Sequence, residues 1–320
     1  LLVNKYLYRK GGAETYFIKL GEYLKSLGNE VEYFGMADER NCVGNRVEAY
    51  TENIDFHKKS LKHITYPFKI IYSVNARKQI RKVLSDFKPD VVHLNNFNYQ
   101  LTPSIIYEIK KHNIPIVYTA HDVQLVCPNH KLKNDYTDGL CRKCDGGKYF
   151  ECVKNNCVHS SKIRSILGAV EAWYYKLRHT YKMIDLTVCP SEFMEKEISR
   201  NDDINGRTVT MYNFIDKIKP LGAECENYVL YFGRYSEEKG ISNLVKAAKK
   251  LSNIPFVFAG KGELENEVNS ADNIKNVGFK TGDELRNIIE KALFTVLPAE
   301  WSENCPFSVM ESQSLMTPVL

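Results

Sequence analysis

The 320-residue sequence contains no apolar run near the roughly 18 residues needed to cross a bilayer, so nothing in it reads as a membrane span. Its first residues do not read as a charged leader. The chain opens on Leu1-Leu2-Val3-Asn4, which reads as a buried strand. The Gly-x-Gly-x-x-Gly spacing of dinucleotide enzymes is absent. Acidic residues are missing from His57 to Leu84. Cysteine is present but odd in number, nine in all, which argues against a fully paired disulfide framework and fits a reducing cytoplasm. The net charge of +5 is too small to point to nucleic acid.

The 43% hydrophobic and 26% charged fractions are those of a globular protein, and the length exceeds the usual single domain. Along the chain, short apolar runs alternate with helical patterns. Leu1 to Asn4, Val31 to Met36, Val91 to Leu94, Ile114 to Thr119 and Leu186 to Cys189 read as strands. Phe17, Leu20, Leu24 and Leu27, then Val74 to Phe87, then Ser104 to His112 read as helices. The scheme repeats from Tyr228, with strands at Tyr228 to Phe232, Phe256 to Ala259, Ile274 to Val277 and Phe294 to Leu297. Such alternation predicts parallel sheets wrapped by helices: two doubly wound, Rossmann-like domains facing across a cleft. We place the first at 1–217, a linker at 218–227 around Pro220 and Gly222, and the second at 228–320. Because Thr317 to Leu320 reads as the start of another strand, the second domain is expected to be incomplete.

The most informative stretch is Tyr228 to Ala248. A strand ends at Gly233, and a helix with Ile241, Leu244, Val245 and Ala248 on one face starts beyond Gly240. Arg234 and Lys239 flank the turn between them. A helix start at the carboxyl end of a parallel strand suits an anion, and a guanidinium fork with a mobile ammonium suits a diphosphate; the alternative is a solvated loop. Gly11-Gly12 occupies the matching turn after the first strand, where glycine lets a ligand approach the backbone. His121-Asp122 stands at the carboxyl end of another strand, as a polar site or with Asp122 as a helix cap. Glu303 and Glu311 flank Pro306, so one sits in a loop and the other in a helix body. Carboxylates so placed can hold ribose or hexose hydroxyls, or can be surface residues.

Taken in order, Gly11-Gly12-Ala13-Glu14, Thr119-Ala120-His121-Asp122, Phe232-Gly233-Arg234 through Lys239-Gly240, Phe258-Ala259-Gly260-Lys261-Gly262, Asn276-Val277-Gly278-Phe279 and Glu303-x7-Glu311 resemble the successive motifs of the family 4 glycosyltransferases of GT-B fold. The resemblance implies retaining transfer of a hexose from a nucleotide sugar, UDP- or GDP-linked, to a saccharide or lipid-linked acceptor, with no cofactor for catalysis. It implies that Arg234 and Lys239 bind the donor diphosphate, Glu311 the ribose and Glu303 the donor hexose. His121 would contact the donor sugar near the reacting carbon, and Gly11 and Gly12 would approach the phosphates. The sequence departs from the family where Asn304-Cys305-Pro306-Phe307 replaces the usual glycine-rich turn and where Thr317 replaces a glycine.

Two basic segments interleaved with aromatics, His57 to Leu84 and Lys162 to Lys182, could rest on an anionic membrane surface or be ordinary solvated helix faces. This gives a cytoplasmic protein, peripheral at the inner membrane face, in bacterial surface polysaccharide synthesis as the leading expectation. A sugar-nucleotide isomerase and an inactive zinc-stabilised binding module are the alternatives. The zinc enters through a Cys-rich insertion at 127–157. Cys141, Cys144, Cys152 and Cys157 have the spacing of a four-thiolate structural zinc site, with Cys127 as an alternative ligand. Unmetallated thiols and an iron–sulfur or redox role are the competing readings.

Overall fold

A computed structural model describes residues 1–53, 66–134 and 139–320, with the backbone alone for 66–68. The chain divides into two compact units, 1–212 and 213–320.

In the first unit the elements run β1 (Leu2–Val3), α1 (Gly12–Ser26), β2 (Tyr33–Phe34), α2 (Tyr66–Ile71), α3 (Val74–Phe87), β3 (Val92–Leu94), α4 (Ser104–Lys111), β4 (Ile116–Thr119), α5 (Phe150–Lys154), α6 (Lys162–Leu177), β5 (Leu186–Cys189), α7 (Glu192–Ile198) and β6 (Thr208–Thr210). All sheet pairings are parallel, in the order β2-β1-β3-β4-β5-β6. Helix α3 shows how the sequence sets an element. Ser73 caps it by accepting the Ala76 N–H at 3.1 Å, Ala76, Ile80, Val83 and Leu84 are its buried face, and Lys88 closes it in the left-handed region. Burying Ile80 and Leu84 fully is worth about 1.5–3 kcal/mol each, more than the ~1 kcal/mol of the cap.

The second unit runs β7 (Val229–Arg234), α8 (Ile241–Lys250), β8 (Phe256–Lys261), α9 (Glu265–Val268), β9 (Ile274–Asn276), α10 (Gly282–Lys291), β10 (Phe294–Thr295) and α11 (Phe307–Ser314). Its sheet is parallel in the order β10-β7-β8-β9. The four residues read from the sequence as the inner stripe of α8, Ile241, Leu244, Val245 and Ala248, are its buried ones. Residues 218–227, expected as a linker, pack within this unit: the N–H groups of Leu221, Gly222 and Ala223 all donate to the Glu290 carboxylate, at 2.6–3.2 Å.

Some expectations need adjusting. Leu27, assigned to the inner face of α1, falls at its C-terminal cap and is 61% exposed. Several strands are shorter than their apolar runs, although the backbone just beyond them can still bond to the neighbouring strand: the Val277 N–H donates to the Phe258 carbonyl and the Val296 N–H to the Leu230 carbonyl, each at 2.9 Å. Of the first basic segment, Lys58, Lys59 and Lys62 lie outside the described residues.

Candidate functional site

In an open parallel sheet, ligands bind beyond the carboxyl ends of the strands where the strand order reverses. In the second unit that reversal falls between β7 and β10. The chain leaving β7 carries Arg234 to Lys239, and the chain leaving β10 carries Pro298 to Glu303. The two segments meet: the Glu300 N–H donates to the Glu238 carbonyl at 3.1 Å. Lys239 forms an ion pair with Glu303, whose carboxylate also accepts the Trp301 indole N–H at 2.6 Å. The Lys239 ammonium lies 5.3 Å from the centre of the Trp301 ring. Arg234 pairs with Glu238 at 2.8 Å and keeps most of its side chain in solvent. Ser236, between the two cations, is buried, and its Oγ has no hydrogen-bond partner among the described residues. Both expected cations are thus present, each already held by a carboxylate. Glu311 is half-buried in the body of α11, which starts after Pro306.

A tight backbone fit fixes this junction. Gly240 adopts φ +70°, and a Cβ there would sit 1.8 Å from the Pro298 carbonyl oxygen. Only glycine permits both the left-handed conformation and the approach.

In the first unit the order reverses between β1 and β3. The Asn4 side chain accepts the Asn96 N–H at 2.9 Å, and the Lys5 ammonium donates to Asn98 Oδ1 at 2.7 Å. His121, just past β4, reaches the same place: its Nε2 lies 2.9 Å from Asn95 Oδ1. The ring of Tyr16 meets His121 edge-on at 5.2 Å, so the start of α1, with the exposed Gly11 and Gly12, is joined to His121 through Tyr16. Burial pulls the His121 pKa down to about 4, although Asp122 opposes this, so the imidazole is neutral at pH 7 and donates through Nε2–H.

Next to His121 stands a group of residues that sequence reasoning missed. His130 Nδ1 lies 3.4 Å from Asp122 Oδ2 and 3.0 Å from Asn98 Nδ2. Its ring stacks on Tyr99 at 5.4 Å and 8°. Tyr99 and His130 both hold positive φ, 61° and 62°, a conformation that costs side-chain-bearing residues energy and persists where surroundings impose it. Burial alone would raise the Asp122 carboxyl, but His130, the Gln124 N–H and Lys5 outweigh it and hold it below the usual range. Asp122 Oδ1 accepts the Gln124 N–H at 2.9 Å, so one carboxylate both caps the local turn and faces His130. The signal was available in the Asn95-Asn96-Phe97-Asn98 run, a polar string at a strand's carboxyl end like His121-Asp122.

The cysteines of the insertion converge. Cys127, Cys141, Cys144, Cys152 and Cys157 all line one small cavity, and none is in a disulfide. Among the described residues no group of three or more His, Cys, Asp or Glu side chains is placed to hold a metal ion.

Each of the two units is a doubly wound parallel sheet with polar side chains at its topological switch point. The sequence matches the family model for Glycosyltransferase Family 4 over residues 10–218 and that for glycosyl transferases group 1 over residues 214–320. The chain belongs to the family 4 glycosyltransferases of GT-B fold. It is 25% identical to an uncharacterized 42.6 kDa protein in the cps region of Klebsiella pneumoniae, over 95% of this chain and 79% of the relative. It is 22% identical to an uncharacterized glycosyltransferase of Methanocaldococcus jannaschii, over 97% and 76%. Among solved structures it resembles HepE of Anabaena in complex with UDP (TM-score 0.62, 15% identity, 99% of this chain and 79% of that one). It also resembles sucrose-phosphate synthase of Thermosynechococcus elongatus (TM-score 0.66, 15% identity, 99% and 79%). At that identity the two structures speak for the fold.

Proposed function

We propose that this glycosyltransferase moves a hexose from a UDP- or GDP-sugar to a saccharide or lipid-linked acceptor with retention of configuration, in the assembly of a bacterial surface polysaccharide. The observation that carries the reading is the β7/β10 junction, where Arg234, Ser236, Lys239 and Glu303 lie on two adjoining loops. Cleavage at the anomeric carbon leaves negative charge on a diphosphate, and fixed cations stabilise that charge as it forms. Lys239 and Arg234 take this role, with Glu303 and Trp301 holding the ammonium in place until the donor arrives. Glu303 then accepts hexose hydroxyls and Glu311 the ribose hydroxyls, while the neutral His121 offers a hydrogen bond beside the reacting sugar. Gly11 and Gly12 leave the start of α1 uncovered for phosphate oxygens. The UDP and UDP-glucose complexes of HepE support a nucleotide-sugar donor, and the cps-region relative supports a polysaccharide role.

Peripheral attachment to an anionic membrane belongs to the same reading. No helix among the described residues is long and apolar enough to cross a membrane. Helix α6, however, exposes Ile163, Ile166, Val170, Trp173 and Leu177, a 3-4-3-4 spacing that makes one apolar stripe, flanked by Lys162, Arg164, Lys176 and Arg178.

The test is thermal unfolding with UDP- and GDP-sugars, followed by turnover with and without acceptor. A bound donor must raise the midpoint. No protection by any nucleotide sugar would refute the reading, and conversion of the donor without acceptor would favour the isomerase.

A further inference from the structure

We propose that Cys141, Cys144, Cys152 and Cys157 bind one zinc ion as a structural four-thiolate site, with Cys127 remaining a hydrogen-bonded wall of the cavity they share. Spacing alone left five thiols for four positions; the structure separates them. Cys127 belongs to the main hydrophobic core of its unit, and its Sγ–H already donates to Asn129 Oδ1 at 2.9 Å. The other four do not belong to that core. Cys144 precedes the turn at Asp145–Gly147 and Cys152 lies in α5. The Cys157 N–H donates to the Cys152 carbonyl at 3.1 Å, which keeps those two residues side by side.

The surroundings suit thiolates. The cavity is about 10 Å³, no more than a single water-sized sphere needs and too small for a sugar. Its charged lining residues are Lys133, Arg142 and Asp145, of which Arg142 pairs with Glu197 and Asp145 with Arg200. The Asn134 side-chain N–H points at Cys141 Sγ, 2.9 Å away, the kind of outer hydrogen bond that orients a ligand sulfur. Asn129 ties the walls together, accepting from Cys127 and donating to the carbonyl of Lys133 at 2.6 Å.

There is also a need for the ion. Between 129 and 157, Leu132 and Tyr149 are the large apolar side chains that are buried among the described residues. Two such groups cannot offset the ordering entropy of a segment this long. Zinc–thiolate bonds can. The sulfurs still have to draw together to reach one ion. The backbone N–H of His130 donates to the Cys127 carbonyl at 2.9 Å, which sets the His130–Asp122 contact beside the wall of the same cavity.

The experiment uses the full-length protein purified without a histidine tag, so it does not depend on the donor. Elemental analysis should find about one zinc per chain, and cobalt exchanged into the wild type should give the intense charge-transfer and tetrahedral bands of thiolate ligation. Cys144→Ser and Cys157→Ser should lose the metal, whereas Cys127→Ser should keep it. The cobalt spectrum of the wild type decides the matter if the serine variants fail to fold. A metal-free wild type whose insertion resists protease would overturn the site, as would iron in place of zinc. Zinc lost from Cys127→Ser but retained in Cys144→Ser would overturn the ligand assignment.

Discussion

Replacing Gly240 by alanine tests whether the junction between the β7 and β10 loops is fixed by backbone contact. Two costs apply. The left-handed conformation at φ +70° penalises a Cβ by about 1–2 kcal/mol. The new methyl would also stand 1.8 Å from the Pro298 oxygen and 2.7 Å from its carbonyl carbon, so a backbone segment must move, at about 1–3 kcal/mol by analogy with overpacked cores. Alanine restricts the unfolded chain and returns about 0.4–1 kcal/mol. The net loss is about 2–4 kcal/mol. Gly278 supplies the control, because it holds nearly the same φ, +71°, with nothing within 4 Å of its Cβ position. Gly278→Ala should cost the conformational part alone.

The assay follows from composition. The protein has two tryptophans, Trp173 in the first unit and Trp301 in the second, beside Lys239. In a Trp173→Phe background, urea unfolding followed by Trp301 fluorescence reports the second unit. Gly240→Ala should then lose about 1–3 kcal/mol more than Gly278→Ala, and its donor affinity should fall, since displacing Pro298 shifts Glu303 against Lys239. Equal stabilities for the two variants would refute the close approach.

Lys239→Ala and Arg234→Ala should each remove about 2–4 kcal/mol of transition-state stabilisation in kcat/KM, if both meet the leaving diphosphate; unchanged turnover in Lys239→Ala would sink that role. Glu303→Gln should lower kcat more than it raises donor KM if, as proposed, the carboxylate serves the hexose as well as holding Lys239; the opposite split would assign it to ground-state binding. Stability should rise with pH between about 4.5 and 6.5: burial lowers His93 to about 3 and His121 to about 4, so unfolding takes up two protons, while Glu171, raised to about 7 by burial, gives one back. Glu171→Gln should therefore steepen the dependence by about 1.4 kcal/mol per pH unit, and an unchanged slope would count against a buried neutral Glu171. Ile163→Ser with Leu177→Ser should weaken sedimentation with anionic vesicles; equal pelleting with neutral vesicles at high salt would argue against membrane docking through α6.

What was legible in the sequence was whatever a local pattern encodes. The inner face of α8 follows from a 3.6-residue period, and the four residues that period selects are the buried ones. The helix over Val74–Phe87 and the placement of Arg234 at the end of a strand are local in the same sense. Strand order is not local. Nothing in the β7 segment says that β10 pairs with it, so the ion pair between Lys239 and Glu303, 64 positions apart, could not be read. The stacking of Tyr99 on His130 was hidden for the same reason, compounded by positive φ at two residues that carry no glycine-like signature.

The glycines of Phe258-Ala259-Gly260-Lys261-Gly262 show how a motif can be recognised before its cause is. Resemblance supplied the pattern without a reason for it. In the structure, a Cβ on Gly260 would fall 1.9 Å from the Gly233 oxygen, and one on Gly262 would fall 2.2 Å from the Tyr235 oxygen. Both clashes are with the backbone of the turn that carries Arg234. Neither glycine has positive φ, so conformational freedom is not what they provide. They let the end of β8 lie directly on that turn, where the Tyr235 N–H donates to the Lys261 carbonyl at 3.0 Å. Tyr235 is buried and its hydroxyl donates to Asn276 Oδ1 at 3.0 Å, so the residue after Arg234 is pinned at both ends. Arg234 itself is exposed and can reorient only about that fixed point. The motif therefore acts on the candidate diphosphate site through backbone position, and alanine at Gly260 or Gly262 should disturb Arg234 without touching any ligand.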